Sequence, residues 1–437
     1  MKVNRGSAAV SPERQVAAAI LAESGRGRRL DVAWEAAKPD AYATRGWIRT
    51  LVYGTVRLQG RLDHIVGSFL DRPVVDLDPP VRLALRMGAY QILYMGSVPD
   101  YAAVSESVAM VKGTRSRGAA GLVNAVLRKV VSLEEPESLF PAAEDDLVGH
   151  LVSWGSHPEW LIRRWIQRFG DDGTSRLVHE NNQEPAVFLN PVGVPTARAL
   201  ELLQAAGLEG ALVDGSRTIR LARGTNPSSA LAAVPSVIQD PAAAAVAEFA
   251  DPPEDGVVAD LCAAPGGKGL ALSAAARWVV AADVSEPRMS RLSEGISRLD
   301  TTVFPVVADA RRPPLACADL VLVDAPCSGT GTLRRHPDGR WRVQETDLDH
   351  LIPLQAAILE GAQTLVPSGG LLVYATCTLE DEENLTQVNA FLNRHSDFHV
   401  EAGPARPGTC DQGGFLNVLP QDTGFDGAFA ARLRRTG

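Results

Sequence analysis

Residues 257–269 read VVADLCAAPGGKG, an apolar run that leads directly into a loop of small residues. The β-branched start is typical of a strand, and glycines after a strand let the backbone approach a ligand closely. The loop lacks the G-x-G-x-x-G spacing of dinucleotide sites and the spacing of phosphate-binding P-loops, and Pro265 interrupts its turn. We therefore expect a cofactor without phosphate, of which S-adenosylmethionine (SAM) is an example.

Four more apolar runs of strand length follow the loop, each separated from the next by a helix-length segment. The runs cover residues 279–283, 303–307, 320–324 and 371–374. Strands spaced by helices predict a parallel sheet covered on both faces. The sequence from residue 240 onward is therefore predicted to form an α/β domain, with its ligands at the carboxyl ends of the strands.

Three aspartates stand at or just beyond the ends of these strands. Asp283 lies about 20 residues after the loop, where nucleotide folds place the acid that binds a ribose. Asp309 could accept a hydrogen bond from an adenine amino group, and carboxylates that include Asp324 suit a sulfonium cation. The competing interpretation is that each aspartate caps the next helix. The glycine loop and the aspartates together favour a SAM site.

Cys327 and Cys377 each come directly after a predicted strand, so both are expected at the sheet edge where SAM would bind. A thiol beside SAM suits methylation of a pyrimidine at carbon 5, because a thiolate added to carbon 6 makes carbon 5 nucleophilic. Asp324 could stabilise charge at ring nitrogen 3 if its carboxyl were protonated. The target base must be unstacked or single-stranded to be reached. Position alone does not decide which cysteine attacks.

The other cysteines indicate neither disulfides nor a metal site. Five cysteines are an odd number in a chain of 437 residues, and no Cys-x-x-Cys pair occurs. Cys317 and Cys410 are expected to be small buried side chains. No apolar run approaches the roughly 18 residues of a membrane span, and no secretory signal is expected. These features predict a cytoplasmic protein without a resident metal.

The first 131 residues differ from the rest in charge and in periodicity. They carry 19 Lys and Arg against 11 Asp and Glu, a net charge of +8, within a chain whose total is −9. Their apolar residues recur every three or four positions, which predicts an all-α bundle. A basic part in an acidic chain favours a polyanionic partner such as RNA. The candidate phosphate contacts are Arg26, Arg28, Arg29, Lys112, Arg115 and Arg117.

A second basic group follows the Cys327 loop and contains an aromatic residue. Such a group suits phosphate contact and base stacking near an unstacked nucleotide, and the alternative is a solvated loop. Three arginines at the C-terminus are predicted to form only a charged tail. The basic group is Arg334, Arg335, His336, Arg340, Trp341 and Arg342, and the tail contains Arg432, Arg434 and Arg435.

Several motifs resemble the RNA cytosine-5 methyltransferases, and their combination is similar to the bacterial ribosomal RNA small-subunit methyltransferase B (Sun/Fmu) family. The resemblance covers nearly the whole chain. The methyltransferase motifs are residues 260–269 (DLCAAPGGKG), 324–331 (DAPCSGTG) and 375–378 (ATCT). Residues 101–108 (YAAVSESV) and 122–128 (LVNAVLR) resemble the NusB antiterminator domain, and residues 156–161 (SHPEWL) resemble the start of a middle module.

The resemblance implies a multidomain protein that methylates carbon 5 of a cytosine in small-subunit (16S) ribosomal RNA. Its partner is expected to be protein-free ribosomal RNA or an early assembly intermediate. The protein is expected to be a monomer that binds neither DNA nor a membrane. Methylation of transfer RNA by the same chemistry and a non-catalytic assembly factor are the alternatives. The expected parts are an all-α NusB-like bundle (1–135), a linker (136–150), a small α+β RNA-binding module (151–236) and an α/β Rossmann-like SAM methyltransferase domain (237–437).

The resemblance also implies roles for individual residues. Cys377 is expected to attack the ring and Cys327 to assist product release. Cys327 is the alternative nucleophile, because DNA cytosine-5 enzymes attack with the cysteine of this Pro-Cys motif. Asp324 is expected to position the base, and Lys268 to brace the active site or the cofactor loop. The expected SAM contacts are Cys262, Ala263, Ala264, Pro265, Gly266, Gly267, Lys268, Asp283, Asp309 and Asp324.

The middle module departs from the family pattern at one position. Family members often have Arg-x-Asn there, whereas this sequence has Phe188, Leu189 and Asn190. The RNA contacts of the module therefore lack an expected arginine. Asn190 is retained, although a turn residue is the alternative interpretation.

Overall fold

The computed structural model describes residues 9–39, 42–112, 118–404, 410–411 and 413–436. The chain divides into two compact units, which we call the helical unit and the sheet unit. The helical unit contains residues 1–183 and 333–343, and the sheet unit contains residues 184–332 and 344–437. The segment 333–343 therefore belongs to a different unit from the chain on either side of it. Arg115 and Arg117, two predicted phosphate contacts, lie outside the described residues.

Helices form nearly all of the helical unit, as the spacing of its apolar residues predicts. Pro12 and Pro79 each begin a helix, at a position where a backbone amide has no partner within the helix. The inward faces share one core, in which Ile20, Leu51 and Leu85 are at most 1% exposed. The helices described are Pro12–Ser24, Leu30–Ala37, Arg45–Arg57, Gln59–Gly67, Pro79–Tyr94, Asp100–Val111, Ala119–Val131, Leu147–Ser153, Glu159–Asn182 and the short Gly339–Arg342.

The segment predicted as a linker, residues 136–150, packs on the helical unit. Phe140 stacks on His64 with ring centroids 4.5 Å apart, and Trp154 meets Phe140 edge-on at 5.1 Å. The helix Glu159–Asn182 also belongs to this unit, although the sequence prediction places it in the middle module. The acidic charge of the segment is compatible with packing because Phe140 packs against the core, while the segment's carboxylates are exposed.

The sheet unit begins with a small α+β module. Its four strands are β1 (Phe188–Pro191), β2 (Gly210–Leu212), β3 (Ile219–Leu221) and β4 (Ser236–Ile238), in the antiparallel order β2-β3-β1-β4, with helices Thr196–Ala205 and Pro227–Ala233. Phe188 is a buried side chain whose ring meets that of Phe425 at 5.9 Å. Asn190 donates to Gln239 at 2.7 Å from within β1, so it is not a turn residue.

The second sheet is mixed. Its strands are β5 (Val257–Asp260), β6 (Trp278–Asp283), β7 (Val303–Val307), β8 (Leu320–Asp324), β9 (Leu371–Thr376), β10 (Phe398–Val400), β11 (Leu416–Val418) and β12 (Ala428–Arg435). The order is β10-β12-β9-β8-β5-β6-β7, with β11 also on β12, and β5 to β9 are parallel as predicted. From β5 the chain adds β6 and β7 on one side and then returns to add β8 and β9 on the other side. This switch in strand order between the parallel neighbours β5 and β8 opens a crevice at their carboxyl ends.

Helices cover both faces of this sheet and enclose two separate apolar cores. No helix within the described part of the chain is long and apolar enough to span a membrane. The helices around the sheet are Pro241–Ala250, Gly267–Leu272, Glu286–Leu299, Leu348–Ala362, Leu385–Arg394 and Pro420–Thr423.

The prediction of a charged C-terminal tail is wrong, because Arg432, Arg434 and Arg435 lie in β12. This strand pairs antiparallel with β9 along six residues. Arg432 is 5% exposed, and it donates to the Phe249 carbonyl at 3.0 Å and to Glu401 at 2.7 Å. Hydrogen bonds from Arg434 and Arg432 lower the pKa of Glu401 to about 2. These ion pairs allow a strand rich in arginine to lie within the sheet.

Candidate active site

The loop after β5 is shaped by a glycine in a left-handed conformation. Gly266 has a φ of 108°, and a Cβ at this position would lie 2.5 Å from Leu292 Cδ1, so a larger residue does not fit. The peptide bond between Ala264 and Pro265 is cis. The predicted cofactor residues 262–268 thus curve around the carboxyl end of β5 and lead into the helix Gly267–Leu272.

Asp283 borders this loop from the end of β6. One carboxylate oxygen accepts the Ala264 amide at 3.1 Å, and the other accepts the Ser285 amide at 2.8 Å. Arg288, which the sequence analysis missed, lies 3.7 Å from the Asp283 carboxylate and donates to the Ala264 carbonyl. These bonds fix the Asp283 carboxylate beside the loop, where the sequence predicts a ribose acceptor.

Two exposed valines flank Asp283, and neither was predicted. Val284 is 74% exposed, and Val307, the register partner of Asp283 at the end of β7, is 56% exposed. Apolar side chains beside a carboxylate suit an adenosine, which offers a flat base and ribose hydroxyls. Asp309 follows on the chain, but its carboxylate is paired with Arg311, whose hydrogen bonds lower the Asp309 pKa to about 2. The Asp309 carboxylate therefore binds Arg311, two residues further along the chain.

Lys268 and Asp324 form an ion pair in the crevice between β5 and β8. Lys268 Nζ lies 2.7 Å from Asp324 Oδ2. Burial lowers the pKa of Lys268, but the charge and hydrogen bond of Asp324, together with the Cys377 and Asp260 side chains, outweigh burial, and the net pKa is raised. The protonated member of the pair is thus Lys268, whereas the sequence argument required a protonated carboxyl at Asp324. Lys268 braces the side chain of Asp324 directly.

The structure brings Cys327 and Cys377 together. Their Sγ atoms lie 3.5 Å apart, although 50 positions separate the residues, because β8 and β9 are adjacent parallel strands. The hydrogen bond with Cys377, burial, and negative charge at Cys377 and Glu383 raise the pKa of the Cys327 thiol well above its ordinary value. The Cys327 side chain therefore stays a thiol. Cys377 also interacts electrostatically with the Lys268 ammonium.

The remaining cysteines lie outside this pair. Burial and the nearby Asp260 raise the pKa of Cys262, so its side chain stays a thiol. The expectation that Cys317 is buried is wrong, since it is exposed, and Cys410 is partly buried. The described residues include no group of three or more His, Cys, Asp or Glu that could hold a metal ion.

Two members of the basic group after the Cys327 loop are held within the helical unit. Arg340 is 1% exposed and donates to the backbone carbonyls of Arg57, Ser156 and Asn181 within the helical unit. Trp341 packs on the core of the same unit, and its Nε1 donates to the Val56 carbonyl at 2.9 Å. The predicted RNA contacts are wrong for these two side chains, because they hold the segment 333–343 in the helical unit.

The other predicted RNA contacts differ in exposure. Arg334 is 8% exposed and lies 3.6 Å from Glu180, so it too is largely withdrawn from solvent. Arg335 and His336 are half-buried, and Arg342 is exposed. Near the N-terminus, Arg26, Arg28 and Arg29 form surface ion pairs with Glu23 or Asp31, and Lys112 is exposed.

Asp260 is buried beneath this site, beside the other carboxylates. Burial and the Asp324 charge, opposed by Lys268 and assisted by Asp283, raise its pKa from 3.8 to about 7. A Cβ on Gly269 would lie 2.9 Å from Asp260 Oδ2, so the loop packs tightly over the carboxyl. The folded protein therefore holds a proton here that the unfolded chain has lost at pH 5 to 7.

Asp260→Asn is expected to flatten the dependence of stability on pH. For a raised pKa, stability falls as pH rises from about 4 to about 7 and is level above that, a loss on the order of 4 kcal/mol for a shift of this size. The neutral amide avoids this loss, so the variant should match the wild type at pH 4 and exceed it at pH 8. Amide hydrogen exchange in β5 at the two pH values, corrected for the intrinsic exchange rate, measures the difference. Parallel stability curves for the two proteins would contradict the assignment.

Family models match three parts of the chain. One described as 16S rRNA methyltransferase RsmB/F matches residues 247–434, one described as the NusB family matches residues 11–132, and one described as an RsmF/B-like ferredoxin-like domain matches residues 157–226. The matches follow the predicted order of helical bundle, α+β module and Rossmann-like domain. The predicted fold class is therefore confirmed.

Individual relatives align with nearly the whole chain. A probable ribosomal RNA small subunit methyltransferase B of Bacillus subtilis (strain 168) is 32% identical over 412 residues, which cover 90% of this chain and 91% of the relative. Ribosomal RNA small subunit methyltransferase B of Yersinia enterocolitica is 34% identical and covers 89% and 90% of the two chains. The crystal structure of PH0851 superimposes with a TM-score of 0.79 at 25% identity, covering 97% of this chain and 99% of its own. Since similarity at this level extends through both units, the chain belongs to the ribosomal RNA small subunit methyltransferase B family.

Proposed function

We propose that this protein transfers a methyl group from SAM to carbon 5 of a cytosine in small-subunit ribosomal RNA, through a covalent bond between Cys377 and the base. Membership of the family supports the coarser statement, methylation of small-subunit ribosomal RNA. The observation that carries the finer statement is the 3.5 Å separation of the Cys327 and Cys377 sulfurs beside the Lys268–Asp324 pair. Two thiols in contact can divide the work, one attacking the base and the other assisting release.

The residues of the crevice fit SAM. The loop at Gly266 allows close approach of its backbone, and the Asp283 carboxylate stands where a ribose acceptor is needed. Val284 and Val307 offer apolar contact to an adenine. The negative charge of Asp283 suits a sulfonium cation, whereas that of Asp324 is paired with Lys268. When bound, SAM supplies the methyl group.

The side chains then divide the work on the base. Cys377 Sγ forms a bond to carbon 6, and the electron pair displaced into the ring makes carbon 5 nucleophilic. The Lys268 ammonium stabilises the Cys377 thiolate before the attack, and Lys268 holds Asp324 in place to position the ring. Cys327, in contact with Cys377, assists release. In that step a base takes the proton from carbon 5, the electron pair left behind re-forms the ring double bond, and the sulfur–carbon bond breaks with its electrons returning to Cys377 as a thiolate.

The proposal includes the state of the RNA. A stacked cytosine is beyond reach of the cysteine pair, so the target is unstacked or single-stranded. We expect a monomer that acts in the cytoplasm on protein-free ribosomal RNA or an early assembly intermediate. The NusB match over residues 11–132 supports an RNA-binding role for the helical unit.

Labelled methyl transfer tests the proposed function. The protein is incubated with methyl-labelled SAM and protein-free small-subunit ribosomal RNA, and the RNA is then sequenced after bisulfite treatment. The expected result is label in the RNA and at least one cytosine newly protected from conversion. Label found only in transfer RNA would favour the transfer RNA alternative. No transfer to any RNA, with SAM binding intact, would favour the assembly factor.

A further inference from the structure

A buried glutamate links the two loops that carry the cysteines. We infer that Glu383 is a positioning residue, whose carboxylate ties the Cys327 loop to the Cys377 loop and keeps the two sulfur atoms in contact. This inference rests on the proposed function, because it concerns the same cysteine pair. Glu383 lies six residues after Cys377 and is 0% exposed.

The contacts of Glu383 reach the Cys327 side first. Its Oε1 accepts the Ser328 backbone amide at 2.9 Å, and its Oε2 accepts the Ser328 hydroxyl at 2.5 Å. Ser328 directly follows Cys327, so both bonds act next to the sulfur-bearing residue. Gln355 donates to Glu383 Oε1 at 2.9 Å and to the Pro326 carbonyl at 3.0 Å, which fixes the residue before Cys327 as well.

The same network continues to the Cys377 side. The Ser328 hydroxyl lies 2.7 Å from Thr378 Oγ1, and Thr378 directly follows Cys377. The Tyr374 hydroxyl, from within β9, donates to the Glu383 backbone carbonyl at 2.7 Å. The backbone amide of Gly331 donates to the Cys377 carbonyl at 3.0 Å. The positions that flank both sulfurs are thus connected through one carboxylate.

The negative charge of Glu383 affects the pKa of the Cys327 thiol in addition to the hydrogen bonds that hold the two loops. No basic side chain forms an ion pair with Glu383 in the part of the chain that the structure describes, so its negative charge is offset only by hydrogen bonds. This charge opposes ionisation of Cys327. The titratable groups that interact with the sulfur pair include Glu383, Tyr374 and Lys268, and of these Lys268 interacts with Cys377. The arrangement therefore keeps Cys327 as a thiol and leaves Cys377 as the sulfur that interacts with the Lys268 ammonium.

Glu383→Gln tests the inference because it preserves the shape and removes the charge. The full-length variant and the wild type are alkylated with iodoacetamide across a range of pH, and the rate at each cysteine is read by peptide mass spectrometry. We expect the midpoint at Cys327 to fall by about one pH unit and kcat for methyl transfer to fall by about 100-fold, with KM for SAM unchanged. A merely structural role would alter thermal stability without moving the alkylation midpoint.

Two further variants make the result decisive. Glu380→Gln is the matched control, since Glu380 is a 3% exposed acid of the same run that accepts from Thr330 at 3.1 Å, whereas the charge that raises the pKa of Cys327 is that of Glu383. It should leave the alkylation midpoints where they are. Ser328→Ala keeps the charge and removes the hydroxyl link, so it should lower kcat without moving the midpoint, and it decides the case if Glu383→Gln does not fold.

The outcomes separate this inference from the proposed function. The role of Glu383 would be overturned if Glu383→Gln showed the alkylation midpoints and the kcat of the wild type. If Glu383→Gln does not fold, a wild-type kcat in Ser328→Ala would overturn it instead. Absence of methyl transfer by the wild type would instead refute the proposed function, while the alkylation midpoints would still show whether Glu383 controls the thiols.

Discussion

Cys377→Ala is expected to abolish methyl transfer and to form no covalent adduct with RNA. The variant lacks the nucleophile, and loss of a nucleophile lowers kcat by on the order of a million-fold. Cys327→Ala is expected to give the opposite pattern on a denaturing gel, with an RNA–protein adduct that accumulates because attack proceeds and release stalls. The contrast is interpretable because the two sulfurs are 3.5 Å apart and share the same surroundings.

The control for this experiment is Cys317→Ala, which removes an exposed thiol outside the pair. It should methylate RNA at the wild-type rate and should not accumulate adduct. An adduct with Cys377→Ala and none with Cys327→Ala would assign the attack to Cys327, as in the alternative from the Pro-Cys motif.

Arg340→Ala is expected to destabilise the helical unit by about 3 kcal/mol. The Arg340 guanidinium donates to Arg57, Ser156 and Asn181 carbonyls and, at 2.7 Å, to Asn182 Oδ1. Removing the buried charge relieves its desolvation, but the loss leaves several buried acceptors without a donor and opens a cavity. We expect the cost of the unpaired acceptors and of the cavity to exceed the free energy gained by removing the buried charge. Amide exchange in the helices Arg45–Arg57 and Glu159–Asn182 should accelerate by roughly 100-fold.

Two neighbouring substitutions calibrate this result. Arg342→Ala removes an exposed arginine of the same segment, whose nearest acid, Asp338, is 3.6 Å away, so its effect should stay within about 0.5 kcal/mol. Arg340→Met fills most of the volume and restores no hydrogen bond, which separates the cavity from the unpaired acceptors. Equal exchange rates in Arg340→Ala and Arg342→Ala would show that the buried guanidinium contributes nothing.

The sequence was informative where a local pattern and the topology agree. The strand-length runs that end at Asp283 and Asp324 predict the parallel strands, and parallel neighbours at β8 and β9 necessarily bring Cys327 and Cys377 to one edge. The loop after β5 was recognisable because glycine at a left-handed position is a local requirement. These features depend on few residues that are close along the chain or lie at equivalent strand ends.

The features that were missed depend on partners far away in the chain. Arg340 and Trp341 look like an RNA-binding pair by composition, and only the carbonyls around Arg57 and Ser156 reveal their structural role. The strand β12 was not recognised because its arginines look solvated in the sequence. Glu401, which neutralises Arg432 and Arg434, lies 31 and 33 positions before them. Glu383 gave no sequence signal, since it belongs to a run of four acids (380–383, EDEE) just before the helix Leu385–Arg394, and such runs are ordinarily solvated.

The course of the chain through residues 333–343 has a consequence for synthesis on the ribosome. The first 183 residues emerge early, but the cavity that receives Arg340 stays empty until translation has passed the four parallel strands β5 to β8. Until then the acceptors of the early helices face water, and that unit lacks a member of its core. Maturation of the N-terminal helices is therefore tied in time to translation of the segment that directly follows Cys327 and its loop.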